Sequence, residues 1–233
     1  MLNERYSRNI SALSIEDVLR LHTSKVCVVG GGGLGGYVVE ILARIGVLNI
    51  TLVDYDTFES NNLNRQLFSE EQLLGTYKVD AAISRITKVN SRVTLNGIKE
   101  TLDENNALDI LNGHDIVIDA LDNIQTRLML AKVCTSLSIP MVHGSIAGWF
   151  GQVAVVFPGD EILDIIFGDV KTERGIEKEL GNLPFAASVV ASIQCAECIK
   201  ILTGKKVERN TLLQIDLLNS EYHSIPIMNT SKR

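Results

Sequence analysis

The six residues Gly30-Gly31-Gly32-Gly33-Leu34-Gly35 constrain this chain more than any other stretch of it. They follow Lys25–Val29, a short apolar run of strand character, and lead into Leu34 to Ile45, whose apolar periodicity predicts a helix. Gly30, Gly32 and Gly35 stand in Gly-x-Gly-x-x-Gly spacing between strand and helix, the context in which that motif carries information. Glycine suits such a turn because the backbone must approach a phosphate closely, while the helix N-terminus offers free N–H groups and the positive end of its dipole. Asp54 lies 19 residues beyond Gly35, closing a second strand, Asn49–Val53, where a carboxylate can accept hydrogen bonds from ribose hydroxyls. Together they predict a nucleotide site without saying which nucleotide. The glycines alone would serve equally as a tight strand-to-helix turn.

The same alternation continues along the chain. Lys78 to Asn90 is amphipathic, with Val79, Ala82, Ile83 and Ile86 in register, and Val93–Ile98 reads as a strand. Ile116–Ala120, Thr126–Leu137 and Met141–His143 then read as strand, helix and strand. The expected fold is therefore α/β: a Rossmann-like, mostly parallel sheet with helices on both faces. From Gly151 the texture changes. Gln152–Phe157 is a strand with no helix before it, residues 158–183 read as a crossover loop over the sheet, and a long helix runs from Pro184 to a cap at Gly204. Thr211–Asp216 and Tyr222–Ile225 are expected as antiparallel C-terminal strands, with Met228–Arg233 a polar tail. No internal repeat or low-complexity linker divides residues 1–233, so one domain is expected.

The loop after Asp56 argues for a triphosphate. Arg65 and Lys78 are cations set among Asn62 and Gln66, and all should lie near the carboxyl ends of the first strands, where open α/β sheets bind ligands. A dinucleotide pyrophosphate is held mainly by backbone amides. A triphosphate under attack needs several cations, because charge develops on the leaving pyrophosphate. Asp122, in Asp119-Ala120-Leu121-Asp122-Asn123, follows another strand, and Arg127 follows four residues after Asn123. Mg²⁺ is commonly held by one or two carboxylates plus phosphate oxygens, which suits Asp122. The competing role for Asp122 or Asn123 is to cap the helix that begins near Thr126.

Composition excludes some partners. The formal net charge of -6 over 233 residues gives no basic footprint for a phosphate backbone. The N-terminus has no apolar signal core, and no uninterrupted apolar stretch approaches the roughly 18 residues of a membrane span, so a cytoplasmic protein is expected. Four cysteines do not make a disulfide framework in a chain of this size. Cys27 lies within a strand, and Cys134 lies on the helical stripe Leu130, Val133, Cys134, Leu137. Cys195 and Cys198 could be half of a zinc site. They share instead a helical stripe with Ala187, Val190, Ala191, Gln194, Ile199 and Leu202, and no second Cys-x-x-Cys or His pair completes a tetrahedral set.

From Arg5 to about Ile225 the chain resembles the E1-like adenylating enzymes of the HesA, MoeB and ThiF type, which are similar to the adenylation half of ubiquitin-activating enzymes. The resemblance rests on Arg5-Tyr6-Ser7-Arg8, Gly30 to Gly35, Asp54-Tyr55-Asp56 with Asn62-Leu63-Asn64-Arg65-Gln66, Gly75-Thr76-Tyr77-Lys78-Val79, and Asp119 to Asn123. Gly151-Gln152-Val153 and Val156-Phe157-Pro158 also fit. It implies that the C-terminal Gly-Gly carboxylate of a ubiquitin-like sulfur carrier attacks the α-phosphate of ATP, giving an acyl-adenylate and pyrophosphate. The nucleophile is already ionised, so no general base is required. By resemblance, Gly30, Gly32, Gly33 and Gly35 cradle the nucleotide, with Asp54 on the ribose and Asp56 and Asn123 beside it. Arg65 and Lys78 bind phosphates, Asp122 holds Mg²⁺, and Asn62 and Gln66 orient the nucleotide. Arg8 resembles an arginine finger that reaches into a partner subunit's site, which implies a homodimer.

The chain departs from that pattern in three ways. The paired zinc cysteines are missing, so no structural zinc is expected. No cysteine lies between residues 158 and 183, which implies that this chain stops at the adenylate. Asn9 and Tyr77 replace a usual Gln and Pro. Other readings remain: a nicotinamide- or flavin-dependent oxidoreductase, which leaves the cations without a joint role; a non-catalytic carrier-binding module; and a tRNA-modifying dehydratase, which the acidic balance disfavours.

Overall fold

The protein is described by a computed structural model over residues 3–168 and 177–227. One eight-stranded sheet organises it, in the order β3-β2-β1-β4-β5-β6-β7-β8. Strands β1 (Lys25–Val29), β2 (Asn49–Val53), β3 (Thr94–Ile98), β4 (Ile116–Asp119) and β5 (Met141–Ala147) pair in parallel, β1 lying between β2 and β4. Strands β6 (Phe150–Val156), β7 (Thr211–Asp216) and β8 (Glu221–Pro226) complete the sheet antiparallel.

The sheet is covered on both faces, and the two-residue period of the strands sorts the core accordingly. Val26, Val28, Ile50, Leu52, Ile116 and Ile118 point to one face, against α2 (Gly33–Ile45), α3 (Lys78–Val89) and α8 (Pro184–Leu202). Cys27, Val29, Val53, Val117 and Met141 point to the other, against α4 (Ala107–Leu111), α5 (Ile124–Ser136) and α6 (Ile162–Phe167). A short helix α1 (Ile15–Thr23) starts on a capping box formed by Ser14 and Asp17. Before it, the 3₁₀ turn Glu4–Asn9 is tied down by fully buried Tyr6, whose hydroxyl accepts a bond from Asn90 Nδ2 at 3.0 Å.

Several expectations are refined. The helix read from Leu34 begins at Gly33, and the one read from Thr126 begins at Ile124, capped by Asn123. The strand expected to stop at His143 runs on to Ala147, because its partner β6 continues the antiparallel ladder as far as Phe150. The stretch 158–183 is not all loop: it holds α6 and the short α7 (Glu177–Leu180), while 169–176 and the tail 228–233 fall outside the described residues. Among the described residues one helix, α8, is long and apolar enough by length and composition to cross a membrane, although Gln194, Glu197 and Lys200 interrupt its apolar run. Here its stripe of Ala187, Val190, Ala191, Cys195 and Cys198 is buried in the core against α2 and the sheet.

The cysteines are all free and buried. Burial pushes the Cys134 thiol to about 12 and raises those of Cys27, Cys195 and Cys198 further, so none is a ready thiolate. Among the described residues no group of three or more His, Cys, Asp or Glu side chains is arranged to hold a metal ion.

Candidate active site

A pocket of about 820 Å³ runs along the carboxyl edge of the sheet, from the end of β2 to β6 and β7. Its floor is the turn from β1 into α2. Gly30 there has φ +99°, and a Cβ on it would meet the Ala120 carbonyl oxygen at 2.6 Å. A Cβ on Gly35 would lie 1.8 Å from the Gly30 carbonyl oxygen, so the third glycine is what lets helix and turn touch. At Gly32 and Gly33 a Cβ would meet only the Gln66 and Arg65 side chains, at 3.6 and 3.7 Å. Those two long side chains lean over the loop from the segment after β2.

Asp54 pins that floor. Its Oδ2 accepts from Gly31 N at 2.5 Å and its Oδ1 from Asp56 N at 2.7 Å. Burial raises its pKa, opposed by the Lys78 charge and by these N–H groups. Each oxygen keeps a further acceptor site, as the ribose assignment needs. Lys78 is only 6% exposed and forms an ion pair with Asp56 at 2.8 Å, so its ammonium already holds an anion.

The structure sorts the remaining candidates by how freely they face the pocket. Arg65 lines it, half-buried, with Nη1 donating to the Asn61 carbonyl and to Asn64 Oδ1, both at 2.9 Å. Burial lowers its pKa and the charge of Asp122 pulls it back up, which puts the guanidinium and that carboxylate on one site. Asp122 is exposed at the rim. Asn123 also lines the pocket, but its Oδ1 is taken by the cap of α5, accepting from Thr126 N at 2.9 Å. Asn62 is likewise engaged locally, accepting from Glu59 N at 3.0 Å and donating to Asn61 Oδ1 at 2.6 Å. Both side chains therefore also shape the loops that line the pocket. Arg8 is exposed on the Glu4–Asn9 turn and does not line this pocket.

The pocket's own polar atoms fit a nucleotide. Gln66 Oε1 is buried without a hydrogen-bond partner, an acceptor that a hydroxyl or amino group would satisfy. The open glycine turn leaves room for phosphate. Asp122, with no cluster of three or more ligating side chains among the described residues, fits a Mg²⁺ ion carried largely by phosphate oxygens, but not one caged by protein ligands alone.

A second set of residues went unassigned in the sequence reading. Asp119 is fully buried at the end of β4 and bonds to Arg127 Nε at 2.8 Å and His143 Nδ1 at 2.7 Å. Its other oxygen accepts from Leu121 N at 3.0 Å, and Arg127 Nη2 donates to the Leu121 carbonyl, so this pair fixes the loop that carries Asp122. The Arg127 guanidinium also lies 5.0 Å over the Phe167 ring. Ser145, Gln152, Gln214 and Asn182 form the far end of the pocket. Polar residues at interior positions of apolar strands, such as Asp119 after Ile116-Val117-Ile118 and His143 after Met141-Val142, are the signal that could have found this set.

The ThiF family model matches residues 6–233. The SAMP-activating enzyme E1 of Haloferax volcanii is 33% identical over 233 residues, 96% of this chain and 84% of that protein. The adenylyltransferase and sulfurtransferase MOCS3 of Dictyostelium discoideum is 32% identical, over 96% of this chain and 54% of its own length, so the chain spans about half of that relative. Among solved structures, Escherichia coli MccB with AMPCPP and MccA superimposes with a TM-score of 0.82 at 22% identity, over 99% of this chain and 73% of MccB. PaaA gives 0.80 at 22% identity, over 97% of this chain and 82% of its own. At that identity the two structures speak for the fold.

Proposed function

Since the chain belongs to the ThiF family of E1-like enzymes, we propose that it is an ATP-dependent adenylyltransferase acting on the C-terminal Gly-Gly carboxylate of a ubiquitin-like carrier of the sulfur-carrier type. The observation that carries this reading is the joint placement of the open glycine turn, Arg65, Lys78 and Asp122 on one pocket, whose other end opens along β5 to β7. A base-plus-ribose end at Asp54, a phosphate region over the glycines and a separate entrance for a second substrate are what such a reaction needs. The reading treats residues 1–233 as one adenylating domain.

In this mechanism the turn from Gly30 to Gly33 receives the phosphates and Asp54 fixes the ribose. One carboxylate oxygen of the carrier bonds to the α-phosphorus as the bond to the β-phosphate breaks, and pyrophosphate leaves with that electron pair. Arg65 neutralises the charge that develops on it. Lys78 joins by exchanging Asp56 for a phosphate. Asp122 would hold Mg²⁺, which when bound screens the phosphate charge. Asp119 and Arg127 keep the Asp122 loop in place. Arg8, exposed and not lining its own pocket, completes a partner subunit's site in a homodimer.

ATP–pyrophosphate exchange with Mg²⁺ tests the reading, run against a panel of carriers ending in Gly-Gly, one carrier lacking the final glycine, and a tRNA. Exchange that depends on an intact carrier is the expected result. Nucleotide binding without exchange on any carrier would remove the proposal.

A further inference from the structure

Asp119, His143 and Gln152 form a hydrogen-bonded chain whose polarity is fixed at its buried end. The carboxylate of Asp119 is ionised: burial pushes its pKa up, but Arg127, His143 and the Leu121 N–H outweigh that and hold it below the ordinary value. An ionised carboxylate only accepts, so its 2.7 Å contact with His143 places the ring proton on Nδ1. Burial and the neighbouring Arg127 charge lower the pKa of the ring and outweigh Asp119, which raises it, so the neutral form is favoured. Its Nε2 is therefore an acceptor, and the Gln152 amide nitrogen donates to it at 3.2 Å. With its NH₂ turned to His143, the amide has its oxygen Oε1 left for the pocket that Gln152 lines.

A carboxylate substrate cannot use another acceptor, but the peptide N–H two bonds from its carboxyl carbon can. Gln152 sits directly opposite Ser145 on β5 and Gln214 on β7, and both also line the pocket. Paired residues on neighbouring strands share a face, so the three side chains form a neutral polar row leading away from the glycine turn. An extended chain without side chains could lie along it.

We propose that Gln152 Oε1 accepts the last peptide N–H of the substrate, with His143 and Asp119 as positioning residues that keep the amide from turning over. The site thereby selects a peptide C-terminus over other carboxylic acids. This deepens the reading above and rests on it. Neither His143 nor Asp119 touches substrate; each acts through Gln152.

The test replaces one atom of the substrate. The carrier that supports exchange is rebuilt by ligation to end in glycyl-glycine or in glycyl-glycolate, where an ester oxygen stands for the final N–H. The wild-type protein should lose roughly three- to tenfold in kcat/KM on the glycolate carrier, the size of one neutral hydrogen bond. Gln152→Ala should lose a similar factor on the glycyl-glycine carrier, mainly in KM for the carrier with KM for ATP held, and nothing further on glycolate. His143→Phe should also shrink the difference between the two carriers, since the amide is then free to turn. Equal losses on glycolate in the wild type and in Gln152→Ala would overturn the inference and leave the adenylation reading standing. Absence of exchange with every glycyl-glycine carrier would remove both.

Discussion

At the scale of single residues, the site divides into groups held ready and groups already engaged. Arg65 and Asp122 line one pocket and feel one another's charge, and among the described residues neither is held in an ion pair as Lys78 is with Asp56. Arg65→Ala and Asp122→Ala are each expected to abolish pyrophosphate exchange while thermal unfolding stays near that of the wild type. Cys198→Ala, by contrast, should leave exchange nearly unchanged, because the thiol is buried in α8 and distant from any chemistry. Loss of exchange in that variant would overturn its assignment to packing. His143 gives the protein a pH signature. Its pKa is lowered in the folded state, so the unfolded chain takes up the proton first, and stability falls as pH drops below the unfolded value of about 6.5. Asp119 adds a second loss only below the ordinary carboxylate range, since its folded pKa is depressed. Urea midpoints should therefore fall between pH 7 and pH 5, and less steeply in His143→Phe. His22 and His114 shift the same way and retain part of the slope. The cations and carboxylates of the pocket were legible in the sequence because they cluster in polar loops. The Asp119–His143–Gln152 chain was not, because it joins residues 24 and 9 positions apart through a strand pairing that composition does not reveal.

At the scale of elements, periodicity located the long helices and the buried strands, and their ends moved by a few residues. The pieces that escaped are short: α4, α6 and the 3₁₀ turn at Glu4–Asn9 span five or six residues each, too few for a helical period to declare itself. The turn into α2 is where local geometry and function are least separable. Gly35→Ala forces a methyl against the Gly30 carbonyl, and overpacking of that kind typically costs about 1–3 kcal/mol. The variant should melt several degrees lower and bind ATP more weakly, both measurable by thermal shift with and without nucleotide. A variant of unchanged Tm would mean that the helix can move off the turn. Asn123 shows the opposite coupling. The sequence left open whether it caps a helix or meets the nucleotide, and its side chain caps α5.

At the scale of the whole molecule, the pocket draws on residues from Val29 to Gln214, so no short segment contains it. Arg8 alone among the expected catalytic residues stands apart, on a turn anchored by Tyr6 and by Asn9, which donates to the Ile45 carbonyl at 3.1 Å. If it acts across a dimer, mixing inactive Arg8→Ala and inactive Asp122→Ala chains should restore exchange, because one of the two mixed sites is then intact. Mixtures as inactive as their parents would remove Arg8 from the mechanism. The sequence carried the fold class through its strand–helix alternation, whereas the reach of one pocket from β2 to β7 depended on a strand order that only the assembled sheet supplies. That order also sets a timetable for synthesis. Helix α2 packs against α8, whose last residue is Leu202, so Val38, Val39 and Leu42 wait for some 160 residues to emerge from the ribosome before their cover arrives. A nascent chain halted before residue 184 would carry an unshielded apolar face, and it is at this stage of its production that the protein most needs a chaperone.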